Sequence, residues 1–273
     1  MSVPVRIAVA GAGGRMGQTL IEALLAAPDL ALGAAFDLPP SALIGHDAGE
    51  RFGRATGITV GSDRARAIGA ADVLIDFTRP AGTMAHLAAC ADAAVAAVVG
   101  TTGLSDADRR AIGEFARTIP VVFAPNMSVG VTVLTKLVEI AAQRLGRDYD
   151  VEIVEMHHRH KVDAPSGTAL KLGETVAAAL KRDLASDAVY ARQGITGERR
   201  GGTIGFAALR GGDVVGDHTV IFAGDGERVE LTHRAASRMN FAHGALRAAR
   251  FVAAKRAQRE AGLFDMQDVL GLR

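Results

Sequence analysis

Three histidines, an arginine and a lysine occupy five successive positions, His157 to Lys161, inside a segment that runs from Glu152 to Ala169. So dense a group of ionisable side chains has three readings. One is a metal site, because His158 and His160 would share a face of a strand. Arg159 and Lys161 would crowd that site with positive charge, and no carboxylate or cysteine cluster nearby offers a second pair of ligands, so we expect no metal. A solvated basic loop is the second reading. The third, a pocket for a small carboxylate, accounts for more of the residues.

Ser166-Gly167-Thr168 follows Pro165 at the expected start of a helix, and no Glu or Gln stands three residues beyond Ser166 to complete a capping box. Amides and hydroxyls there are expected to be available to an anion. His158 and His160 would add hydrogen bonds to the same carboxylate, and Lys161 would supply a proton donor with a long reach. On a single extended strand His157 and Lys161 would lie about 13 Å apart, four steps of ~3.3 Å, so joint action requires the chain to curl between them.

A second constellation lies near the N-terminus. Gly11-Ala12-Gly13-Gly14-Arg15-Met16-Gly17 follows an apolar run and opens a helical pattern. Glycine there lets the backbone turn tightly and lets a diphosphate approach the amides at the helix N-terminus. The spacing departs from G-x-G-x-x-G, since Met16 takes the third place and Gly17 comes one residue later. A tight turn without a ligand would also choose glycine. Asp37, twenty residues past Gly17, ends the second apolar run, where an acid can accept hydrogen bonds from the adenosine ribose hydroxyls. A solvated Asp opening a turn before Pro39 and Pro40 is the alternative. Arg15 could meet a 2′-phosphate if NADPH is used. Gly100-Thr101-Thr102 and Ala124-Pro125-Asn126-Met127 also follow expected strands and would border the nicotinamide half of the same crevice, unless they are plain turns. Thr78 and Arg79 end another strand, with no role assigned.

The elements that must hold these residues are readable as apolar runs. Strands are expected over residues 3–10, 30–36, 73–77, 95–99 and 120–124, with helices over 16–27, 84–91 and 105–118; Ser105 and Asp108 have capping-box spacing. Continuously apolar strands separated by helices imply a doubly wound, Rossmann-type parallel sheet in an α/β fold. Beyond it, helices are expected over 129–145, 167–181 and 239–257, and strands over 151–156, 204–209, 214–222 and 229–232. The short turns Gly211-Gly212-Asp213 and Gly224-Asp225-Gly226 imply a second, α+β domain with a mostly antiparallel open sheet. We place a dinucleotide-binding domain at residues 1–128 and 239–273, and a substrate-binding and oligomerisation domain at 129–238.

Composition narrows the function classes. The 273 residues carry 31 basic and 30 acidic side chains, a balance that excludes a broad electrostatic grip on nucleic acid or an anionic membrane. With 49% hydrophobic and 22% charged residues the chain can bury a core. One cysteine, Cys90, fits a reducing cytosol, and neither a membrane span nor a leader with a cleavage site is evident, so a cytoplasmic protein is expected.

The segment from Glu152 to Ala169 resembles the signature of the dihydrodipicolinate reductase family, also called 4-hydroxy-tetrahydrodipicolinate reductase, at every defined position. Residues 10–17, Asp76-Phe77-Thr78-Arg79-Pro80, Val99-Gly100-Thr101-Thr102-Gly103, Gly202-Thr203-Ile204-Gly205-Phe206 and Gly262-Leu263-Phe264-Asp265 are similar to the same family. The resemblance implies reduction of a cyclic dicarboxylate in the lysine and diaminopimelate pathway, with hydride from NADH or NADPH and loss of water. By position it implies His157 as acid/base, Lys161 as proton donor, and His158, Gly167 and Thr168 as substrate-binding residues. It implies cofactor contacts at Gly11, Ala12, Gly13, Gly14, Arg15, Met16, Asp37, Gly100, Thr101, Thr102, Ala124, Pro125, Asn126 and Met127, and assembly as a homotetramer. Leu38 stands where many members carry an arginine beside the acid, so NADH is expected to be favoured. Another two-domain nicotinamide-dependent dehydrogenase acting on a small carboxylate, or a non-catalytic dinucleotide-sensing protein, would share the glycine loop.

Overall fold

Strands buried on both faces read as unbroken apolar runs, and the first sheet is built from such runs. A computed structural model describes residues 3–273 and divides into two compact units, Met1–Val129 with Arg238–Arg273, and Gly130–Ser237. In chain order the elements are β1 (Val5–Ala10), α1 (Arg15–Leu25), β2 (Leu30–Phe36), α2 (Arg64–Gly69), β3 (Val73–Asp76), α3 (Pro80–Asp92), β4 (Ala96–Val99), α4 (Asp106–Phe115) and β5 (Pro120–Phe123). Then follow α5 (Val129–Leu145), β6 (Asp150–His157), α6 (Gly167–Ala179), α7 (Leu184–Asp187), β7 (Ala188–Val189), β8 (Ile204–Arg210), β9 (Gly216–Gly224) and β10 (Glu227–Ala235). The chain closes with α8 (Met239–Ala257), β11 (Gly262–Phe264) and α9 (Met266–Leu270).

The first unit is the doubly wound parallel sheet expected, six strands in the order β2-β1-β3-β4-β5-β11. Alternation along β1 sends Ile7 and Val9 into a core with Leu20 and Ile21 of α1 and Ala245 and Ala249 of α8. Ala8 points the other way, into a core with Leu87 of α3 and Ile112 of α4. Burial of a side chain such as Ile7 or Leu20 contributes about 1.5–3 kcal/mol, which is why helices must cover both faces. Pro80 at the first position of α3 presets the helical φ and starts that helix four residues earlier than its apolar period shows. The Ser105–Asp108 capping box is present at the head of α4.

The second unit holds five strands in the order β10-β9-β6-β8-β7. β9 runs antiparallel to both β10 and β6, whereas β8 runs parallel to β6 and to β7. The expected hairpin between β9 and β10 forms around Asp225-Gly226, with Gly226 at φ +82°. Its expected counterpart at Gly211-Gly212-Asp213 does not, because β6 lies between β8 and β9. That connection instead crosses the end of β6, where Gly211 N–H donates to the His157 carbonyl (2.9 Å) and His158 N–H to the Val214 carbonyl (2.7 Å). Val151 and Ile153 of β6, Phe206 and Phe222 pack under Leu172 and Val176 of α6 and Leu134 and Val138 of α5. Among the described residues no helix is long and apolar enough to cross a membrane.

Candidate active site

β6 alternates buried and half-buried residues, and its buried row ends in Glu155 and His157, where an apolar sheet face would otherwise continue. Glu155 is 1% exposed. Its Oε2 accepts from His157 Nδ1 at 2.6 Å and from Arg210 Nη1 at 2.8 Å, and its Oε1 from Arg210 Nη2 at 2.9 Å and from the Ser166 N–H at 3.1 Å. Burial opposes ionisation of Glu155, but the hydrogen bonds from Arg210 and His157 outweigh it and hold the carboxyl below the ordinary glutamate range. An ionised carboxylate only accepts, so the hydrogen between Glu155 and His157 rides on Nδ1. That leaves Nε2 as the nitrogen of His157 turned away from Glu155. It lies beside Gly216, where a Cβ would come within 3.0 Å of it.

His218 of β9 packs edge-on against His157, ring centroids 5.1 Å apart, and its Nε2 lies 2.9 Å from Ser166 Oγ. Burial, then the neighbouring His157, pushes His218 down to about 4, so it is neutral at ordinary pH. The chain does curl after His157: Lys161 N–H donates to the His158 carbonyl at 3.1 Å, and Lys161 Nζ sits on both oxygens of Asp163, at 2.7 and 2.9 Å. The rings of His158 and His160 are 6.1 Å apart.

Ser166 corrects one expectation. Its N–H goes to Glu155, and its Oγ caps α6 by accepting from Ala169 N–H while also meeting His218. Ser166 is therefore spent on the site's own framework, and Gly167 and Thr168 open α6 on a first turn without acidic side chains.

In the first unit the glycine loop joins β1 to α1. Gly11 adopts φ +65°, which favours glycine, and Gly14 N–H closes the turn onto the Gly11 carbonyl at 2.9 Å. A Cβ on Gly17 would run into that same carbonyl, so the late glycine is where α1 packs against the loop. Gly14 is an N-cap without a side-chain cap, and the first turn of α1 carries no acid. Gly13 N–H donates to Asp37 Oδ2 at 2.8 Å, and a Cβ on Gly13 would lie 2.7 Å from that oxygen. Leu38 beside it is 76% exposed. The amides of Ala12, Gly13 and Gly14 are thus engaged within the unit, and it is the first turn of α1, uncapped by a side chain and without an acid, that presents a positive helix end beside Asp37, a geometry suited to a dinucleotide's diphosphate and ribose.

Between the end of β3 and α3 lies a buried pair that the sequence does not single out. Asp76 Oδ2 lies 2.8 Å from His86 Nδ1, and Asp76 Oδ1 accepts from Thr78 N–H at 2.7 Å and Thr78 Oγ1 at 2.6 Å. This holds Thr78 against Gly11, whose missing Cβ would lie 3.0 Å from Thr78 Cγ2. Thr101 is buried and shares a 2.7 Å hydroxyl bond with Thr83, and Met127 is buried in the core, so both side chains serve the framework. Thr102 stays exposed, and Asn126 Oδ1 accepts from Ser128 N–H at 2.9 Å beside Ala124 and Pro125.

Glu155, Arg210, Asp163 and Gly216 were not assigned roles from the sequence. Glu155 was within reach, since residues two apart on a strand share a face. Arg210 meets Glu155, and Gly216 meets His157, only through the strand order.

A parallel sheet with a glycine-rich first turn, and a second unit in which buried Glu155 and His157 meet the half-buried Arg210, is an arrangement suited to a two-domain dinucleotide-dependent reductase. Comparison with known proteins gives the family. A model for the N-terminus of dihydrodipicolinate reductase matches residues 5–127, and one for its C-terminus matches residues 130–270. The chain belongs to the dihydrodipicolinate reductase family. It is 59% identical over 273 residues to the 4-hydroxy-tetrahydrodipicolinate reductase of Aromatoleum aromaticum, covering 100% of this chain and 98% of that one. Over 268 residues it is 60% identical to that of Dechloromonas aromatica, covering 98% of each. Among solved structures, a dipicolinate-bound dihydrodipicolinate reductase from Paenisporosarcina sp. TG-14 superposes with a TM-score of 0.75 at 25% identity, covering 97% of this chain and 99% of the other.

Proposed function

We propose that this protein reduces 4-hydroxy-tetrahydrodipicolinate to tetrahydrodipicolinate with loss of water, in the synthesis of diaminopimelate and lysine. The observation that carries this reading is the Glu155-bound His157 beside the head of α6, inside the family's signature segment. Gly11 to Met16, with Asp37 at the ribose, would hold NADH or NADPH, which would supply a hydride. Gly100 to Thr102 and Ala124 to Met127 border the nicotinamide half, largely through their main chains.

His158, Gly167 and Thr168 hold a ring carboxylate, with the positive end of α6 behind it. Addition of hydride to an unsaturated ring carbon conjugated to the imine would push electron density toward nitrogen, and a proton would have to follow. His157, held at Nδ1 by Glu155, delivers the proton on Nε2 and is left as the neutral Nδ1–H tautomer. Lys161, tethered to Asp163, supplies the second cation facing the dicarboxylate and a further proton donor.

Leu38 offers a 2′-phosphate no charge, which favours NADH, with Arg15 leaving some use of NADPH. Leu209 and Val229 are exposed on the second unit's sheet, apolar surface suited to the homotetramer we propose. We place the enzyme in the cytoplasm. The test is a coupled assay with pyruvate, aspartate semialdehyde, the condensing synthase and NADH, followed by loss of NADH absorbance. Consumption that depends on the synthase supports the proposal. Consumption with a different carboxylate alone would make it another dehydrogenase, and binding of NADH without consumption a sensor.

A further inference from the structure

Arg210 reaches in two directions. Its fork closes on Glu155 with two parallel hydrogen bonds, and the same Nη2 donates to the Asp163 carbonyl at 2.6 Å. Glu155 carries His157, and the Asp163 side chain carries Lys161. The two side chains proposed to handle protons are therefore tied to one guanidinium from a strand distant in sequence. In the register of β6 on β8, His157 and Arg210 are direct partners.

We infer that Arg210 is a positioning residue: through Glu155 it fixes the proton of His157 on Nδ1, and through the Asp163 carbonyl it seats the turn that presents Lys161. This rests on the proposed roles of those two side chains. The reasoning turns on Glu155, whose two oxygens already accept four hydrogen bonds. Without Arg210 a carboxylate this buried would take up a proton to escape desolvation. A protonated Glu155 can donate to Nδ1, and the imidazole would then carry its hydrogen on Nε2. The other groups facing His157 do not replace Arg210. His218 from β9 is neutral, Ser166 from the head of α6 is a hydroxyl, and the Lys161 ammonium is held on Asp163 rather than on Glu155.

The test compares wild type with Arg210→Met, Arg210→Lys and Glu155→Gln, using coupled turnover and the ¹⁵N spectrum of labelled histidines at alkaline pH. Wild type is expected to show neutral His157 protonated on Nδ1. Arg210→Met is expected to move that proton toward Nε2 and to lower kcat about 10- to 100-fold, part of the ~10²–10⁴ that a positioned acid supplies, while KM for NADH stays within about twofold. Guanidinium ion below denaturing concentration should restore turnover where ammonium does not, which a merely structural loss would not show. Arg210→Lys, which keeps charge but loses the fork, should show a smaller loss of the same kind, and it decides the matter together with Glu155→Gln if Arg210→Met does not fold. A wild-type His157 protonated on Nε2, or Arg210 and Glu155 variants with unchanged tautomer and kcat, would overturn the inference. If wild type leaves the proposed substrate untouched, the functional proposal fails, and the ¹⁵N spectra still decide the tie between Arg210 and His157.

Discussion

Nδ1 of His157 lies 2.6 Å from Oε2 of Glu155, two residues earlier on the same strand. Because Glu155 is ionised and nearly sealed from solvent, the pair sets which nitrogen of the imidazole is free to react.

Replacing the proposed proton donors should separate chemistry from cofactor binding. His157→Ala and Lys161→Ala are each expected to lower kcat by ~10²- to 10⁴-fold, with NADH affinity near wild type, because both belong to the second unit and the glycine loop to the first. Steady-state kinetics and fluorescence titration of NADH check it. Full turnover in either variant would remove that residue from the mechanism.

Gly216→Ala should injure catalysis more than folding. The added methyl would come within 3.0 Å of His157 Nε2 and 3.3 Å of its Cδ2, and the ring must yield a few tenths of an ångström. A displacement near the reacting nitrogen is expected to lower kcat about tenfold, within the up to ~10² that a misplacement of 1 Å can cost. Thermal unfolding should move little. A variant with wild-type kcat would show that Nε2 is not the working nitrogen.

Cofactor preference should follow residue 38. Leu38 is exposed beside Asp37, so an arginine there meets no packing obstacle. Leu38→Arg is expected to lower KM for NADPH about tenfold, the worth of one charge-assisted contact of ~1.5 kcal/mol, with little change for NADH. Measuring kcat/KM for both dinucleotides decides it, and unchanged ratios would place the 2′-phosphate elsewhere.

His218 makes stability depend on pH in a defined direction. Its folded value of about 4 lies below the unfolded 6.5, so between them the unfolded chain holds the extra proton. Its contribution is complete above pH 6.5 and is lost as pH falls from 6.5 through 4, by up to about 3 kcal/mol at ~1.36 kcal/mol per unit. Urea unfolding across that range should show the decline, and His218→Gln should flatten it. An equal slope in the variant would assign the proton to another group.

The parallel sheet could be read from the chain because each strand is a short apolar run beside a helix with its own period. The strand Leu30–Phe36 and the helices Val129–Leu145 and Met239–Ala257 match their runs end to end. The shortest pieces could not be read so. Gly262–Phe264 is a strand only because it adds to the edge at Pro120, and Arg64–Gly69 is too short for a period. For the site, His157 and Lys161 stand out by composition, whereas the role of Arg210 depends on β6 entering between β8 and β9, a pairing of residues some fifty positions apart. Ser166 was misjudged for a related reason, since its partners Glu155 and His218 reach it only in the folded unit.

The insertion of β6 between β8 and β9 has a consequence for the order of assembly. When a ribosome has finished the signature segment, both flanks of its strand are still bare, and neither can be filled until residues 204–224 have been made. Newly translated protein therefore holds its histidines and lysine as an inert string until the late strands close on either side, and a nascent chain halted before residue 204 carries the signature without the site.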